Sequence, residues 1–336
     1  MFVRSTDLNR EKFLNAIKLC AAVILGITLA HLLKLDYQTS AGIVAILTIL
    51  RTKRETIQTA VGRALAFVTA LLISFVCFYF MGLTIEAFLV FFVIYIFVCH
   101  MMNWMYAITL NAVLVSHFVT SGRLDLAAVL NEVLIFLIGV SVGILMNLHL
   151  KKNVHHFEKM KKETDAHIIR ILERMSERME NHDMTDYNGK CFEELAGILR
   201  DTKNAAEFNY NNQFNKYDLF DLEYIAMRER QCVVLYEMYS LIRHLETTPA
   251  TTQKVSEFLD MLSHVLDEKN DGVELMEKFK EMDTYMKSHP LPAQRQEFED
   301  RARLFCFMRN MEHFIQIKME FIKKHQKESV TDGKQK

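Results

Sequence analysis

The first 150 residues of the chain consist of long apolar runs separated by short polar segments. The stretch from Ala64 to Met81 contains no charged residue, and the stretch from Ala87 to Gly122 contains none apart from histidines. Soluble helices need a polar face, so these runs predict membrane-spanning helices, which need roughly 20 mostly apolar residues each, rather than a very apolar soluble core. Six spans are predicted, at residues 15–33, 37–50, 62–82, 84–102, 104–120 and 128–149.

The first two runs leave alternatives to weigh. A cleaved signal peptide would explain the run at 15–33 but not the five that follow, and no clear small-x-small cleavage site comes after it. We therefore expect a retained helix there. The run at 37–50 is marginal for crossing a bilayer. It is either a tilted span or a buried helix packed by its neighbours, and in the second case only five spans remain.

Basic residues near the ends of the apolar runs predict the orientation. Lysine and arginine are enriched on the cytoplasmic side of membrane proteins. They precede the first run (Arg4, Arg10, Lys12, Lys18), separate the second from the third (Arg51, Lys53, Arg54, Arg63) and follow the sixth (Lys151, Lys152). The opposite segments hold only Lys34 and Arg123. The pattern predicts a multi-pass protein of the plasma membrane with both termini in the cytoplasm.

The second half of the chain differs sharply in charge. Residues 1–150 contain 10 Lys and Arg and 7 Asp and Glu, whereas residues 151–336 contain 30 and 34. A segment so charged does not lie in lipid. Its apolar positions recur with helical spacing, broken at Thr247-Thr248-Pro249, Asn270-Asp271-Gly272 and His289-Pro290. We predict an all-α protein: a six-helix transmembrane domain at 1–150, a cytoplasmic helical bundle at 151–328 and a disordered tail at 329–336.

Composition and motifs exclude several classes of function. A net charge of −1 and the absence of a basic face argue against a nucleic-acid partner. The six cysteines form no metal-type spacing and are expected to be reduced. The adjacent His155 and His156 point about 100° apart on a helix and are expected to be solvated rather than to bind metal. No phosphate-binding loop, HExxH or GxSxG occurs. We therefore expect neither an enzyme nor a cofactor or metal.

Polar residues within the apolar runs are the candidate functional groups, because such groups are costly at membrane depth. Asn111 lies near the middle of the fifth run, with His117 six residues further on. Arg63 lies one turn into the third run, where a buried guanidinium would bind a carboxylate in bidentate geometry. Its alternative role is that of an ordinary orienting charge. Arg51, Lys53 and Arg54 form a basic cluster that would concentrate anions or bind anionic lipid headgroups.

The order of these parts resembles the bacterial aromatic acid exporter family, which is related to the fusaric acid resistance proteins and the plant malate-type anion channels. The resemblance rests on Ala41-Gly42-Ile43 through Thr48, Arg51-Thr52-Lys53, Thr59 through Ala64, and Pro290-Leu291-Pro292 followed by Arg295, Phe298, Glu299, Arg301, Ala302 and Leu304. A Gly-Thr pair often follows the arginine in that family, whereas Ala64-Leu65 follows Arg63 here. Other members carry a doubled transmembrane set, so the resemblance implies a homodimer or a larger homo-oligomer for this chain.

The resemblance implies export of small organic anions, aromatic carboxylic acids in particular, across the plasma membrane. Arg63, Asn111 and His117 are the expected substrate-binding residues, and Arg51, Lys53 and Arg54 the cluster that collects the anion. No ATP site is recognisable, so the proton gradient or downhill flow would drive export. Two alternatives stay open: an anion channel gated by the cytoplasmic bundle, and a membrane-anchored scaffold or sensor that transports nothing.

Overall fold

The computed structural model describes residues 2–50, 52–148, 154–181, 187–213, 219–246, 251–266 and 270–333. Within these residues all regular structure is helical and no strand occurs, which confirms the predicted all-α class. The chain divides into two compact units. One comprises Met1–Lys151 with Asn211–Gln213, and the other comprises Lys152–Tyr210 with Phe214–Lys336.

The first unit contains six α-helices and one 3-10 turn among its described residues. They are α1 (Phe2–Leu32), α2 (Thr39–Thr48), α3 (Lys53–Met81), α4 (Ile85–Met101), the 3-10 turn Met105–Ala107, α5 (Ile108–Ser121) and α6 (Leu126–Leu148). Local chemistry sets several of these bounds. Thr52 and Thr84 accept hydrogen bonds from the main-chain nitrogens of Glu55 and Ala87, both at 3.3 Å, and so cap α3 and α4. Gly122, with φ +62°, ends α5 in the left-handed conformation.

The exterior of this unit is apolar. Leu72, Phe80 and Phe97 each expose more than half of their surface, as lipid-facing side chains do and soluble cores do not. Three helices are long and apolar enough to cross a membrane: Phe13–Leu32 within α1, Lys53–Met81 and Leu126–Leu148. Thr39–Thr48, Ile85–Met101 and Met105–Ser121 are apolar but shorter. The protein is therefore a helical membrane protein, while the count of six spans stays a prediction.

The helix α2 occupies most of the apolar run at 37–50, and whether it crosses the bilayer stays open. Ten residues form a helix about 15 Å long, half the thickness of a bilayer's hydrocarbon core. α2 runs parallel to α6 and antiparallel to α1, and glycines bring the main chains close. A Cβ added to Gly26 of α1 would lie 3.0 Å from the carbonyl oxygen of Ala41, and one added to Gly139 of α6 would lie 2.8 Å from the same atom. One face of the short helix is thus packed between two long helices, while Ile43 and Ile46 stay exposed.

The second unit contains six further helices among its described residues, namely α7 (Val154–Asn181), α8 (Lys190–Asn211), α9 (Phe220–Arg243), α10 (Thr252–Val265), α11 (Val273–Lys287) and α12 (Arg295–Gly333). α9 packs along α12, and α7 along α10. One contiguous apolar core, built around residues such as Leu172, Leu235, Leu259 and Met311, joins the bundle. α12 continues to Gly333 and so overlaps the tail predicted to be disordered from residue 329.

Candidate functional site

Arg63 is a buried cation inside the first unit. It lies ten residues after the start of α3, about 15 Å along the helix axis, and exposes only 5% of its surface. Its Nη1 donates a hydrogen bond to the main-chain oxygen of Leu47, in the last turn of α2. The ring centroid of Tyr106 lies 5.9 Å from its guanidinium carbon. Its Nε has no hydrogen-bond partner among the described residues, so the guanidinium stabilises the end of α2 and still has donor capacity to spare.

A second polar cluster surrounds Asn147, near the end of α6. The side-chain nitrogen of Asn147 donates to the main-chain oxygens of Leu50 at 3.2 Å and Thr52 at 3.3 Å, and to the hydroxyl of Thr56. Its side-chain oxygen accepts a hydrogen bond from Nζ of Lys18, on α1. These contacts fix the segment that leaves α2 and enters α3. We call this side of the unit the Asn147 end; it is the side predicted to be cytoplasmic.

Positive charge is left uncompensated at the Asn147 end. Lys18 is half-buried, and its contact is to the neutral amide of Asn147. Neither Lys18 nor Arg63 pairs with a carboxylate of the part of the chain that the structure describes. Two cations held in a poorly hydrated site without counter-ions create a strongly positive potential. Such a potential favours the entry of an anion.

The basic cluster predicted near this end is only partly visible. Arg51 lies outside the described residues. Lys53 and Arg54 occupy the first turn of α3, where Lys53 is half-buried and Arg54 is exposed. They precede Arg63 by nine to ten residues, about 15 Å of helix. They therefore lie on the approach to Arg63 and do not share its immediate surroundings.

Asn111 occupies a different part of the interior. Its side-chain nitrogen donates to the hydroxyl oxygen of Tyr95 at 2.6 Å, and that hydroxyl donates to the main-chain oxygen of Ala66 at 3.2 Å. Asn111 is fully buried, and its side-chain oxygen has no partner among the described residues. The chain of bonds joins α3, α4 and α5. This geometry gives Asn111 a role in holding three helices together, and its role in binding substrate stays a prediction.

His117 belongs to a buried group at the opposite side of the unit, which we call the Asp36 end. Its Nδ1 lies 2.8 Å from Oε2 of Glu132, and its Nε2 lies 3.2 Å from Oγ of Ser40. The ring of Tyr37 stacks on the imidazole with centroids 4.1 Å apart and an angle of 8° between the planes. The other carboxylate oxygen of Glu132 accepts a hydrogen bond from Asn131 at 3.0 Å. A histidine and a glutamate are thus paired inside the membrane unit.

The helix α2 connects the two sides electrostatically. Its first turn contains Ser40, next to His117 and the carboxylate of Glu132, and its last turn contains Leu47, which binds Arg63. The amino end of a helix carries partial positive charge and the carboxyl end partial negative charge. The carboxylate of Glu132 near the amino end and the guanidinium of Arg63 at the carboxyl end therefore both stabilise α2. The short rod therefore has a charged side chain from a neighbouring helix at each end.

No group of three or more His, Cys, Asp or Glu side chains that could hold a metal ion occurs among the residues that the structure describes. The six cysteines are free thiols. Neither observation points to metal or disulfide chemistry at the polar groups described above.

Both halves of the chain match sequence profiles of a single family. Residues 11–150 match "Aromatic acid exporter family member 1", and residues 155–319 match the profile of the aromatic acid exporter C-terminal domain. The chain belongs to the aromatic acid exporter family. The resemblance inferred from the sequence is thereby confirmed, and membership of a family of exporters fits the expectation of a protein that is not an enzyme.

Two individual proteins are similar to this member of the family. The uncharacterized protein YqjA of Bacillus subtilis (strain 168) is 27% identical over 313 residues, which cover 91% of this chain and 95% of that protein. A crystal structure of a membrane protein from Clostridium difficile 630 aligns with a TM-score of 0.46 at 24% identity, over 50% of this chain and 98% of that one. This second likeness is too weak to establish a shared fold.

The three residues expected from the sequence to bind substrate do not share a contact. Arg63 contacts Leu47 and Tyr106, Asn111 contacts Tyr95, and His117 contacts Ser40, Tyr37 and Glu132. His117 lies six positions after Asn111, which turns their side chains to different faces of α5. The structure thus separates a basic site at the Asn147 end from a titratable pair at the Asp36 end.

Sequence reasoning missed Glu132, Lys18 and the pair of glycines on α6. Of these, Glu132 is the easiest to identify from the sequence. It is a single carboxylate within the predicted span 128–149, and an ionisable residue at membrane depth is a functional candidate by default. Gly139 and Gly143 form a Gly-x-x-x-Gly pattern, which signals close helix packing in membranes.

Proposed function

We propose that this protein exports small organic anions, aromatic carboxylates in particular, across the plasma membrane, with both termini in the cytoplasm. Membership of the aromatic acid exporter family supports export. The observation that carries the choice of an anion is Arg63. Arg63 exposes 5% of its surface, and its guanidinium has an unpartnered Nε and no carboxylate partner among the described residues.

The geometry of Arg63 suits a carboxylate better than a cation or a neutral molecule. A guanidinium offers five N–H donors in a planar fork that matches the two oxygens of a carboxylate. Tyr106 lies against the guanidinium, so an aromatic ring already borders the site where a substrate ring would pack. Lys18 adds a second positive charge at the same end. Lys53 and Arg54, with Arg51, would raise the local concentration of anions before they reach Arg63.

The protein is proposed to act as a homodimer or larger homo-oligomer. The described part of this chain has one set of membrane helices, whereas the resemblance implies that other members of the family have two. The surfaces of α3 and α4 that expose Leu72, Phe80 and Phe97 are available either to lipid or to a second copy. Chemical cross-linking in native membranes measures the number of copies.

The test of the proposed function is anion flux in proteoliposomes that contain the purified protein. The probes are radiolabelled phthalate and 4-hydroxybenzoate, with succinate as the aliphatic comparison. We expect saturable exchange of the aromatic acids in the wild type. Arg63→Gln is expected to lower this flux by about 10- to 100-fold, because a hydrogen bond to a charged group contributes about 1.5–3 kcal/mol. Arg63→Lys keeps the charge and loses the fork, so it should retain part of the flux.

The matched control is Arg123→Gln, which removes an exposed arginine at the Asp36 end that pairs with Asp125 at 2.8 Å. This variant should transport as the wild type does. Because Arg63 also holds the end of α2, gel filtration and melting temperature are measured for every variant. Wild-type flux in an assembled Arg63→Gln protein would remove Arg63 from the mechanism. Unitary current steps would favour a channel, and absence of flux for all three probes would leave a scaffold or sensor.

A further inference from the structure

The buried pair His117 and Glu132 calls for an explanation beyond the binding of an anion. Both side chains lie inside the membrane unit, with 8% and 2% of their surfaces exposed. Glu132 makes its two described contacts with the imidazole of His117 and the amide of Asn131, and neither partner carries a permanent positive charge. An isolated carboxylate at membrane depth is costly. A proton bound by the pair would remove this net negative charge.

We propose that His117 and Glu132 form a proton-binding site that couples proton movement to the anion export proposed above. With His117 neutral, the pair carries one net negative charge. With one proton added to the imidazole, the pair is an imidazolium next to a carboxylate 2.8 Å away and has no net charge. In a site of low dielectric the second state avoids a buried net charge. The pair therefore takes up one proton without another counter-ion.

The pair lies close to the Asp36 end. His117 lies four positions before the end of α5 at Ser121, and Glu132 six positions after the start of α6 at Leu126, which places both within about 6–9 Å of the helix ends. The loop residue Tyr37 covers the imidazole with its ring. Its backbone has φ +55°, a left-handed conformation that is uncommon for an aromatic residue.

Protonation of His117 changes the hydrogen bond and the charge next to the amino end of α2. When His117 is neutral with its proton on Nδ1, Nε2 accepts a hydrogen bond from the hydroxyl of Ser40. When the ring is protonated, Nε2 donates to the same oxygen instead. The net negative charge that favours the positive end of the helix is also lost. A bound proton therefore weakens the attraction between α2 and the pair.

The other end of α2 holds Arg63 through the main-chain oxygen of Leu47. A movement of this rigid rod of ten residues alters how many guanidinium donors are free for the anion. By linkage, the anion on Arg63 changes the affinity of the pair for its proton by the same factor. The structure thus offers a physical connection, about 15 Å long, between the two binding sites.

Few other titratable groups bear on His117. Ser40 and Tyr37 face it from α2 and the loop before it, and Glu132 and Asn131 from α6. Asp36 is exposed and contacts Asn131 only through its main chain, and Arg123 and Asp125 pair with each other in solvent. On the remaining elements packed against α5, the titratable groups are Lys53, Arg54, Glu55, Arg63, Cys77 and Tyr79 of α3, Glu86, Tyr95, Cys99 and His100 of α4, and Tyr106 of the 3-10 turn. None of the contacts described for His117 involves this last set.

The test uses proteoliposomes with an acidic lumen, pH 7 inside and pH 8 outside, and with valinomycin and equal potassium to hold the voltage at zero. Proton–anion antiport drives labelled phthalate into the acidic lumen. For one proton per anion, the ratio of phthalate concentration inside to outside rises to at most about tenfold. Passive diffusion of the neutral acid accumulates it on the alkaline side instead, so the two processes differ in sign. A pH dye in the lumen reports the accompanying proton efflux.

Glu132→Gln is the deciding variant, because it keeps the shape of the side chain and removes its charge. We expect it to retain phthalate exchange at equal pH and to lose accumulation, with an inside-to-outside ratio near one. Glu86→Gln, which removes an exposed carboxylate at the start of α4, should accumulate as the wild type does. If Glu132→Gln does not assemble, Glu132→Asp serves in its place, since it shortens the reach of the carboxylate to His117, and it should accumulate less phthalate than the wild type at unchanged exchange.

The outcomes separate this inference from the proposed function. Exchange without any effect of the pH gradient in the wild type would overturn the proton site and leave anion transport standing. Equal accumulation by wild type and Glu132→Gln would assign coupling to another group. Absence of exchange for every anion would overturn the proposed function, and the coupling with it.

Discussion

Gly139 of α6 lies directly against the main chain of Ala41 in α2. A Cβ built on Gly139 would be 2.8 Å from the carbonyl oxygen of Ala41, and one built on Gly143 would be 2.8 Å from that of Ala45. Real Cβ atoms do not approach a backbone oxygen so closely. The two glycines, one helical turn apart, therefore permit α2 to be buried between its neighbours.

Gly139→Ala and Gly143→Ala should each destabilise the membrane unit. The added methyl group must displace main-chain atoms, and overpacking of this kind costs about 1–3 kcal/mol. The matched control is Gly197→Ala on α8, where nothing lies within 4 Å of an added Cβ. That change should be neutral or slightly stabilising, since alanine favours helix over glycine by up to about 1 kcal/mol. Melting temperatures in detergent decide the matter, and equal values for all three variants would contradict the packing argument.

Much of the second unit was predictable because its breaks have local causes. Asn270-Asp271-Gly272 was expected to stop a helix, and α10 ends at Val265 while α11 begins at Val273, after Gly272 with φ +79°. His289-Pro290 was expected to stop the next one, and α11 ends at Lys287. Glycine and proline act on the backbone at their own positions. Their effects can therefore be read without knowledge of the tertiary fold.

The candidate sites were less predictable because their partners are distant in sequence. His117 meets Ser40 across 77 residues, and Lys18 meets Asn147 across 129. Composition does not reveal which helix faces meet. The end of α2 at Thr48 was equally hidden, since the apolar run continues through Ile49 and Leu50. The start of α3 did have a local signal, because Thr52 and Glu55 have the spacing of a capping box.

Arg228 of α9 should be far more important for stability than Arg230, two residues further on. Arg228 is fully buried, and its Nε lies 2.9 Å from the carboxylate of Asp165. Removal of one partner of a buried ion pair costs about 3–5 kcal/mol. Arg230 pairs with Glu320 at 3.1 Å in solvent, and such pairs contribute about 0–1 kcal/mol.

Melting curves of Arg228→Ala and Arg230→Ala, recorded by circular dichroism in detergent, test this difference. We expect the first to melt lower by on the order of 10 °C and the second to melt within a degree or two of the wild type. Similar melting temperatures would show that the pair with Asp165 is not a main support of the bundle.

Tyr95→Phe should leave the side-chain amide of Asn111 without a hydrogen-bond acceptor. The tyrosine hydroxyl accepts the hydrogen bond from Asn111 at 2.6 Å, and a buried donor without an acceptor costs about 1–3 kcal/mol. The double variant with Asn111→Leu has no unpaired amide. Its melting temperature should therefore fall by less than the sum of the decreases in the two single variants. Additive effects would contradict the coupling.

Cys232 should react slowly with alkylating reagents. Burial, together with smaller effects of the nearby Cys191 and Glu229, raises the pKa of Cys232 to about 11. At pH 8 only about one thousandth of such a group is the reactive thiolate. Cys306 is exposed. Among single-cysteine variants, iodoacetamide at pH 8 should therefore alkylate Cys306 at least about 100-fold faster than Cys232.

The rate at Cys232 should also rise about tenfold per pH unit from pH 8 to 10, because the thiolate fraction does. A thiol whose folded-state pKa is raised contributes to stability below its unfolded-state pKa, and this contribution is lost as the pH rises through about 11. Unfolding in sodium dodecyl sulfate is the control, since it exposes both thiols and should make the two rates similar. Equal rates in the folded protein would show that the thiol of Cys232 is open to water.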